Sequence, residues 1–205
     1  MKLKFRKSVL PWLVAAIGLS TTFTLYAAPQ SPEQVFGFRP GDDYKLASYE
    51  QMETYYRQLA AASDRVQLRE IGQSVLGRPL FLLTISSREN LANLDRYRDI
   101  SEQLARARPD PEMADALTRE GKAVVWIDGG LHATEVAHAQ MTSLLAHRVA
   151  TEETAEMQAI RDNVIFLLMP FTLSGDRARV ALCRSKRRTS RVPCADRNRA
   201  VVAAY

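Results

Sequence analysis

Val124-Val125-Trp126-Ile127-Asp128-Gly129-Gly130-Leu131-His132-Ala133-Thr134-Glu135 is the stretch on which the fold turns. From Ala123 to Ile127 the chain is uncharged and apolar, the composition of a strand buried in an α/β sheet. Asp128-Gly129-Gly130 ends the run, and glycine lets the backbone turn sharply and approach a bound group closely. A helix is predicted from about Glu135 to Ala150. The strand thus delivers His132 onto the loop past its C-terminal end, and Glu135 opens the next helix. Ligand sites in open α/β sheets favour that crevice outside the strand ends.

An imidazole nitrogen and a carboxylate oxygen three residues apart on such a turn can face one point. That donor pair suits zinc, which takes His nitrogen at about 2.0–2.1 Å and carboxylate oxygen at about 2.0–2.2 Å. H-x-x-E by itself also arises by chance. Equally well, Thr134 caps the helix and Glu135 sits in its first turn against the dipole. His138, three residues past Glu135, shares its helix face. Successive helical turns stand about 5.4 Å apart, which makes it hard for His132, Glu135 and His138 to converge on one ion.

Downstream, a shorter helix is predicted from about Thr154 to Arg161. Val164–Met169 reads as a second buried strand, stopped by Pro170. Strand, loop, helix and strand make a crossover unit, so the core is expected to be an α/β sheet with helices on its faces. Upstream, residues 29–46 mix Pro, Gly and Asp and read as an extended lead-in. Ser48 caps a helix through Ala62, with Met52, Tyr55, Tyr56 and Leu59 at helical spacing. Val66–Ile71 alternates as a strand and Leu80–Ile85 is a compact apolar one. Together they predict a hairpin with Leu76-Gly77-Arg78-Pro79 near its tip. Glu89–Arg108 and Pro111–Arg119 read as polar, exposed helices separated at Pro109.

The two ends differ from this body. The formal charge is +5, but residues 1–28 carry +4 and residues 171–205 carry +7, so 29–170 is acidic at −6. Lys2, Lys4, Arg6 and Lys7 precede an apolar run from Val9 to Leu25 and then Tyr26-Ala27-Ala28-Pro29, the layout of a secretory signal cleaved near Ala27 or Ala28. The run is interrupted by Pro11 and turns polar at Ser20, so it is short for a bilayer span of about 20 apolar residues. The mature chain is therefore expected outside the cytoplasm, periplasmic or extracellular, with no stable membrane span. Residues 171–205 are rich in Arg, lack helical or strand periodicity and read as disordered. They carry both cysteines, Cys183 and Cys194, which can pair in an oxidising compartment. Arginine suits phosphate, but the tail has no interleaved aromatics or nucleic-acid motif, and export removes it from cytosolic nucleic acid. No nucleic-acid partner is expected.

At His132 and Glu135 the sequence resembles the zinc carboxypeptidases of the M14 family, in which a strand leads to a loop bearing H-x-x-E. Ile71-Gly72-Gln73-Ser74-Val75-Leu76-Gly77-Arg78-Pro79-Leu80 is similar to the family's hairpin. Ser48 to Leu59 resembles its opening helix, and Arg161-Asp162-Asn163 before the Val164 strand also fits. The similarity covers residues 33–170, and the lead-in Phe36-Gly37-Phe38-Arg39-Pro40-Gly41-Asp42-Asp43 favours an exported subgroup. The resemblance implies a three-layer α/β/α sandwich with a mixed sheet, here truncated, holding one Zn2+ at its strand ends. His132 and Glu135 would be two of three zinc ligands, peptides the substrates, and Arg78 a possible substrate-binding residue as against a plain surface arginine.

In the family the third ligand is a downstream histidine and the general base a downstream glutamate. Here no histidine follows His147, and residues 171–205 contain no glutamate. Phe171-Thr172-Leu173-Ser174-Gly175-Asp176 stands where the family shows an Asn-Pro-Asp-Gly-like segment. Residues from about 171 are accordingly expected to stem from a frame shift or aberrant truncation. The zinc site is expected to be incomplete and the protein weakly active or inactive. The alternative function is a non-catalytic, exported peptide- or cell-wall-binding fragment.

Overall fold

The computed structural model describes residues 28–74, 77–132 and 135–171. The expected signal segment before Ala28, and the tail after Phe171 with Cys183 and Cys194, lie outside the described residues.

Local chemistry sets most element boundaries. The lead-in is not extended throughout: it contains a short helix, α1 (Pro32–Phe36). Ser31 caps α1 reciprocally with Gln34, and Pro32 occupies its first turn, where the missing N–H costs nothing. Helix α2 (Tyr49–Ala61) starts on Ser48, whose hydroxyl accepts from Gln51 N while Gln51 Oε1 accepts from Ser48 N. Strands β1 (Val66–Gln73) and β2 (Pro79–Ile85) form the expected hairpin. At its tip Gly77 adopts φ 71°, a left-handed conformation that favours glycine.

The polar stretch that follows breaks at Asn93 into α3 (Arg88–Ala92) and α4 (Leu94–Ala105), and α5 (Pro111–Glu120) comes after it. Leu91, Ile100 and Leu117 are buried, so these helices are anchored and not wholly exposed. Strand β3 (Ala123–Asp128), α6 (Val136–Thr151), α7 (Ala155–Asn163) and β4 (Val164–Met169) complete the described chain. The crossover is as expected, since β3 and β4 are parallel.

The sheet has strand order β1-β2-β4-β3 and is mixed. β1 pairs antiparallel with β2, β2 antiparallel with β4, and β4 parallel with β3. The fold is therefore α/β with a mixed sheet. Pairs such as Leu83↔Leu168 and Ile85↔Phe166 put one face of the middle strands against α2 and α6. There Tyr49, Met52, Tyr55, Tyr56 and Leu59 pack with Ala139, Ala146, Phe81 and Phe171. The buried tyrosine hydroxyls are satisfied: Tyr49 donates to Pro79 O at 2.7 Å, and Tyr56 lies 2.8 Å from Thr142 Oγ1. Leaving such groups unpaired would cost about 1–3 kcal/mol each.

Two polar anchors tie the α7–β4 junction to the sheet. Arg161 is only 3% exposed, and its guanidinium donates to Val149 O, Glu152 O and Glu153 Oε2 at 2.7–2.9 Å. Asn90, also buried, donates to Arg161 O at 2.9 Å and Asp162 O at 3.1 Å.

The expectation of a buried β3 is corrected. Val124 and Trp126 are each 50% exposed, and Val125 is exposed as well. The reason is topological, since among the described residues β3 is the outermost strand and none pairs with its far side.

Candidate functional site

The site lies where β3 runs out. Asp128 pairs with Met169, and Gly129 N then donates to Met169 O at 3.0 Å, so the loop leaves the sheet from a fixed point. Gly129 is required here for packing. A Cβ at this position would stand 2.5 Å from Thr142 Cγ2, 3.1 Å from His138 O and 3.2 Å from Pro170 O. The close approach expected of the Gly-Gly pair is thus made by α6, not only by any ligand. Gly130 follows at φ 60°, reversing the chain toward His132.

His132 and Glu135 come together at this turn. His132 Nδ1 lies 2.8 Å from Glu135 Oε1, His132 N donates to Glu135 Oε2 at 3.2 Å, and Glu135 N donates to His132 O at 3.0 Å. These hydrogen bonds from the His132 side chain and backbone hold the Glu135 carboxyl below the usual carboxylate range. Both side chains are open to solvent, His132 at 67%. Glu135 is the residue flanking α6, with no side-chain cap bond of its own. Thr134, the alternative cap, lies outside the described residues.

His138 stands on the first turn of α6, its Nδ1 3.6 Å from Glu135 Oε2. Glu135 therefore sits between two imidazoles. Among the described residues no three His, Cys, Asp or Glu side chains are grouped so as to hold a metal ion. The pair His132–Glu135 does fit zinc as two ligands: its nitrogen and oxygen face each other on an exposed turn, and a small opening from 2.8 Å would admit an ion. His147 is not part of this group. It is half-buried, its Nδ1 has no partner, and burial lowers its pKa from the usual 6.5.

Arg78 has other partners. At the hairpin tip its Nη1 donates to Glu50 Oε1 at 2.6 Å, and its guanidinium lies 4.8 Å from the centre of the Tyr49 ring. It links the hairpin to α2, with its side chain about one-third exposed. Sequence reading found His132, Glu135 and His138 but missed that Gly129 serves the strand–helix contact with Thr142. No pattern in the sequence marks Thr142 as its neighbour.

The sequence profile of the zinc carboxypeptidase family matches residues 52–172. No curated protein sequence matches the chain. Among solved structures, that of thrombin activatable fibrinolysis inhibitor is similar with a TM-score of 0.50 at 14% identity, covering 74% of this chain and 32% of that one. Carboxypeptidase A from Helicoverpa armigera aligns with a TM-score of 0.46 at 21% identity, covering 72% of this chain and 33% of that one. The chain thus spans about a third of the length of the solved structures it matches. Likeness at the identity of the first establishes a shared fold and nothing of its chemistry.

Proposed function

The chain belongs to the zinc carboxypeptidase family, and from that premise we propose that it is an exported metallocarboxypeptidase-type protein whose His132 and Glu135 bind one Zn2+ at the end of β3. The observation that carries this is the meeting of His132 Nδ1 and Glu135 Oε1 at 2.8 Å on an exposed turn past a strand end. His132 and Glu135 would hold the ion, and bound there it would supply Lewis-acid chemistry toward a carbonyl or a water. The chain's own contribution is placement. Gly129 fixes the loop against Thr142 and Pro170, and the hydrogen bonds between His132 and Glu135 hold the two donors side by side. Peptides are the proposed ligands, and the exposure of the turn leaves them room to approach.

A catalytic zinc needs three protein ligands and an open position. The described residues offer no group of three donors, which favours a second reading: peptide or cell-wall recognition on the same fold without hydrolysis. Arg78 remains the candidate substrate contact only if its bond to Glu50 opens.

Zinc competition against a chromophoric chelator separates these. The full chain should take up one zinc, and His132→Ala and Glu135→Ala should each weaken uptake at least about tenfold. Equal uptake by both variants would sink the proposed ligand pair. Chelator-sensitive release of C-terminal amino acids from peptides would establish catalysis. Peptide binding that survives His132→Ala, with no hydrolysis, would establish the second reading.

A further inference from the structure

Two adjacent tyrosines of α2 meet two adjacent residues of α6, and the two contacts serve different ends. Tyr55 donates to Ser143 O at 3.3 Å, and Tyr56 lies 2.8 Å from Thr142 Oγ1. All four side chains are buried. The bond of Tyr55 ends on the α6 backbone, whereas that of Tyr56 continues. Thr142 Oγ1 also stands 2.6 Å from Ala139 O and 3.2 Å from Pro170 O, two carbonyls that only accept. A threonine hydroxyl has one proton to give, and the shortest contact, to Ala139 O, takes it. Tyr56 is therefore the donor to Thr142.

We propose that Tyr56 and Thr142 are positioning residues for the His132–Glu135 turn: the Tyr56 hydroxyl locks the Thr142 rotamer, and the Thr142 methyl sets where the Gly129 loop leaves the sheet. Threonine in a helix otherwise divides between two rotamers. With its oxygen held among Tyr56, Ala139 and Pro170, Thr142 lays Cγ2 against Gly129, where an added Cβ would stand only 2.5 Å away. Gly129 is the first residue past β3, its N–H bonded to Met169 O, and His132 follows three residues later. The ends of β3 and β4 thus both bear on one buried threonine. Tyr56 and Thr142 act through the backbone between Gly129 and His132 and are not ligands. Their role presupposes the reading of this turn as a zinc site, but the placement of the turn can be measured without metal.

Tyr56→Phe removes one buried hydroxyl from the full chain, and Tyr55→Phe removes another one residue away, so both should lower the denaturation midpoint alike. Only Tyr56→Phe should disturb the turn. In the metal-free chain, amide exchange at Gly129 and Glu135, which donate to Met169 O and His132 O, should quicken about tenfold in Tyr56→Phe relative to Tyr55→Phe. Chelator competition should show zinc held about tenfold more weakly by Tyr56→Phe, and by Thr142→Ser, which keeps the hydroxyl and loses the methyl. The two changes combined should cost no more than the larger alone, because each breaks the same chain of contacts. Tyr55→Phe should bind zinc as the wild type does. If Tyr56→Phe does not fold, Thr142→Ser compared with Ser143→Ala repeats the test from the α6 side. Equal exchange and equal zinc affinity in the two tyrosine variants would overturn the positioning role, as would losses that simply add. A wild-type chain that takes up no zinc, but whose Gly129 and Glu135 amides respond to Tyr56→Phe alone, would sink the zinc reading and leave the positioning role standing.

Discussion

Strands β1 and β3 bound the same sheet on opposite sides, and their side chains treat the solvent in opposite ways. Along β1 only Val66 is buried, and the outer positions carry Gln67, Arg69, Glu70 and Gln73. Along β3 every residue from Ala123 to Trp126 is exposed and uncharged. β1 belongs to a hairpin whose local turn fixes its register, so its solvent face is free to be polar. Among the described residues β3 is held on one side, by the parallel pairs from Ala123↔Val164 to Asp128↔Met169. Polarity thus marks the strand whose outward groups face water, whereas the composition of β3 is that of a strand in a sheet interior. The candidate site grows from the second edge, so whatever covers β3 also sets the surroundings of His132.

The largest effect is expected where both edges share support. Leu83 on β2 is fully buried, paired with Leu68 of β1 on one side and Leu168 of β4 on the other. Leu83→Ala should destabilise by about 2–5 kcal/mol through lost burial and the cavity left behind. Denaturant unfolding followed by amide exchange should show protection lost together on β1 and β4. Loss on the β1 side alone would show that the two edges are separate units, which would break the comparison.

A smaller effect, confined to the β3 side, is expected at Gly129. The Cβ introduced by Gly129→Ala meets Thr142 Cγ2 at 2.5 Å, and overpacking of this kind costs about 1–3 kcal/mol. Thr142→Ser deletes that methyl while keeping the hydroxyl that lies near Tyr56 and Ala139 O. The double variant should recover part of the loss, since His138 O and Pro170 O stay tight at 3.1 and 3.2 Å. Zinc uptake by the single variant should fall with stability, because the same loop aims His132. No recovery in the double variant would mean that Thr142 is not the obstacle.

Much of this was readable in the sequence because it depends on local chemistry. Ser48 and Thr154 begin their helices as capping residues do, Val164–Met169 is bounded as expected, and the hairpin turns at Gly77. His132 and Glu135 are near neighbours in the chain, so their meeting needs only a turn. What escaped depends on distant partners. An apolar run such as Ala123–Ile127 reports that a strand wants cover, but its place in the strand order is set by β2 and β4. Glu89–Arg108 and Pro111–Arg119 read as polar, exposed helices, yet Ile100 and Leu117 on them are buried. Arg78 read as either a substrate contact or a plain surface arginine, and only the fold shows it bound to Glu50 and laid against Tyr49.

The smallest effect should appear at the β1 end and leave the β3 end untouched. His147 lines a cavity with Ala28, Asp64, Arg65 and Glu153, just before β1 begins. Its Nδ1 is buried without a partner, and burial lowers its pKa below the usual 6.5. The unfolded chain therefore binds the proton more readily than the folded one. Stability is fully present above about pH 6.5 and falls as the pH drops from there toward the lowered folded value. Asp64 and Glu153 face the same cavity and would soften the penalty on a charged imidazole, while Arg65 and Arg161, both bonded to Glu153, offset them. Replacing His147→Gln should flatten the denaturation midpoint between about pH 7 and pH 5 and leave zinc uptake at neutral pH unchanged. A variant with the wild-type pH profile would place the titrating group elsewhere. One that lost zinc as well would show that the β1 and β3 ends are coupled through α6, the helix that carries His147 and begins beside Glu135.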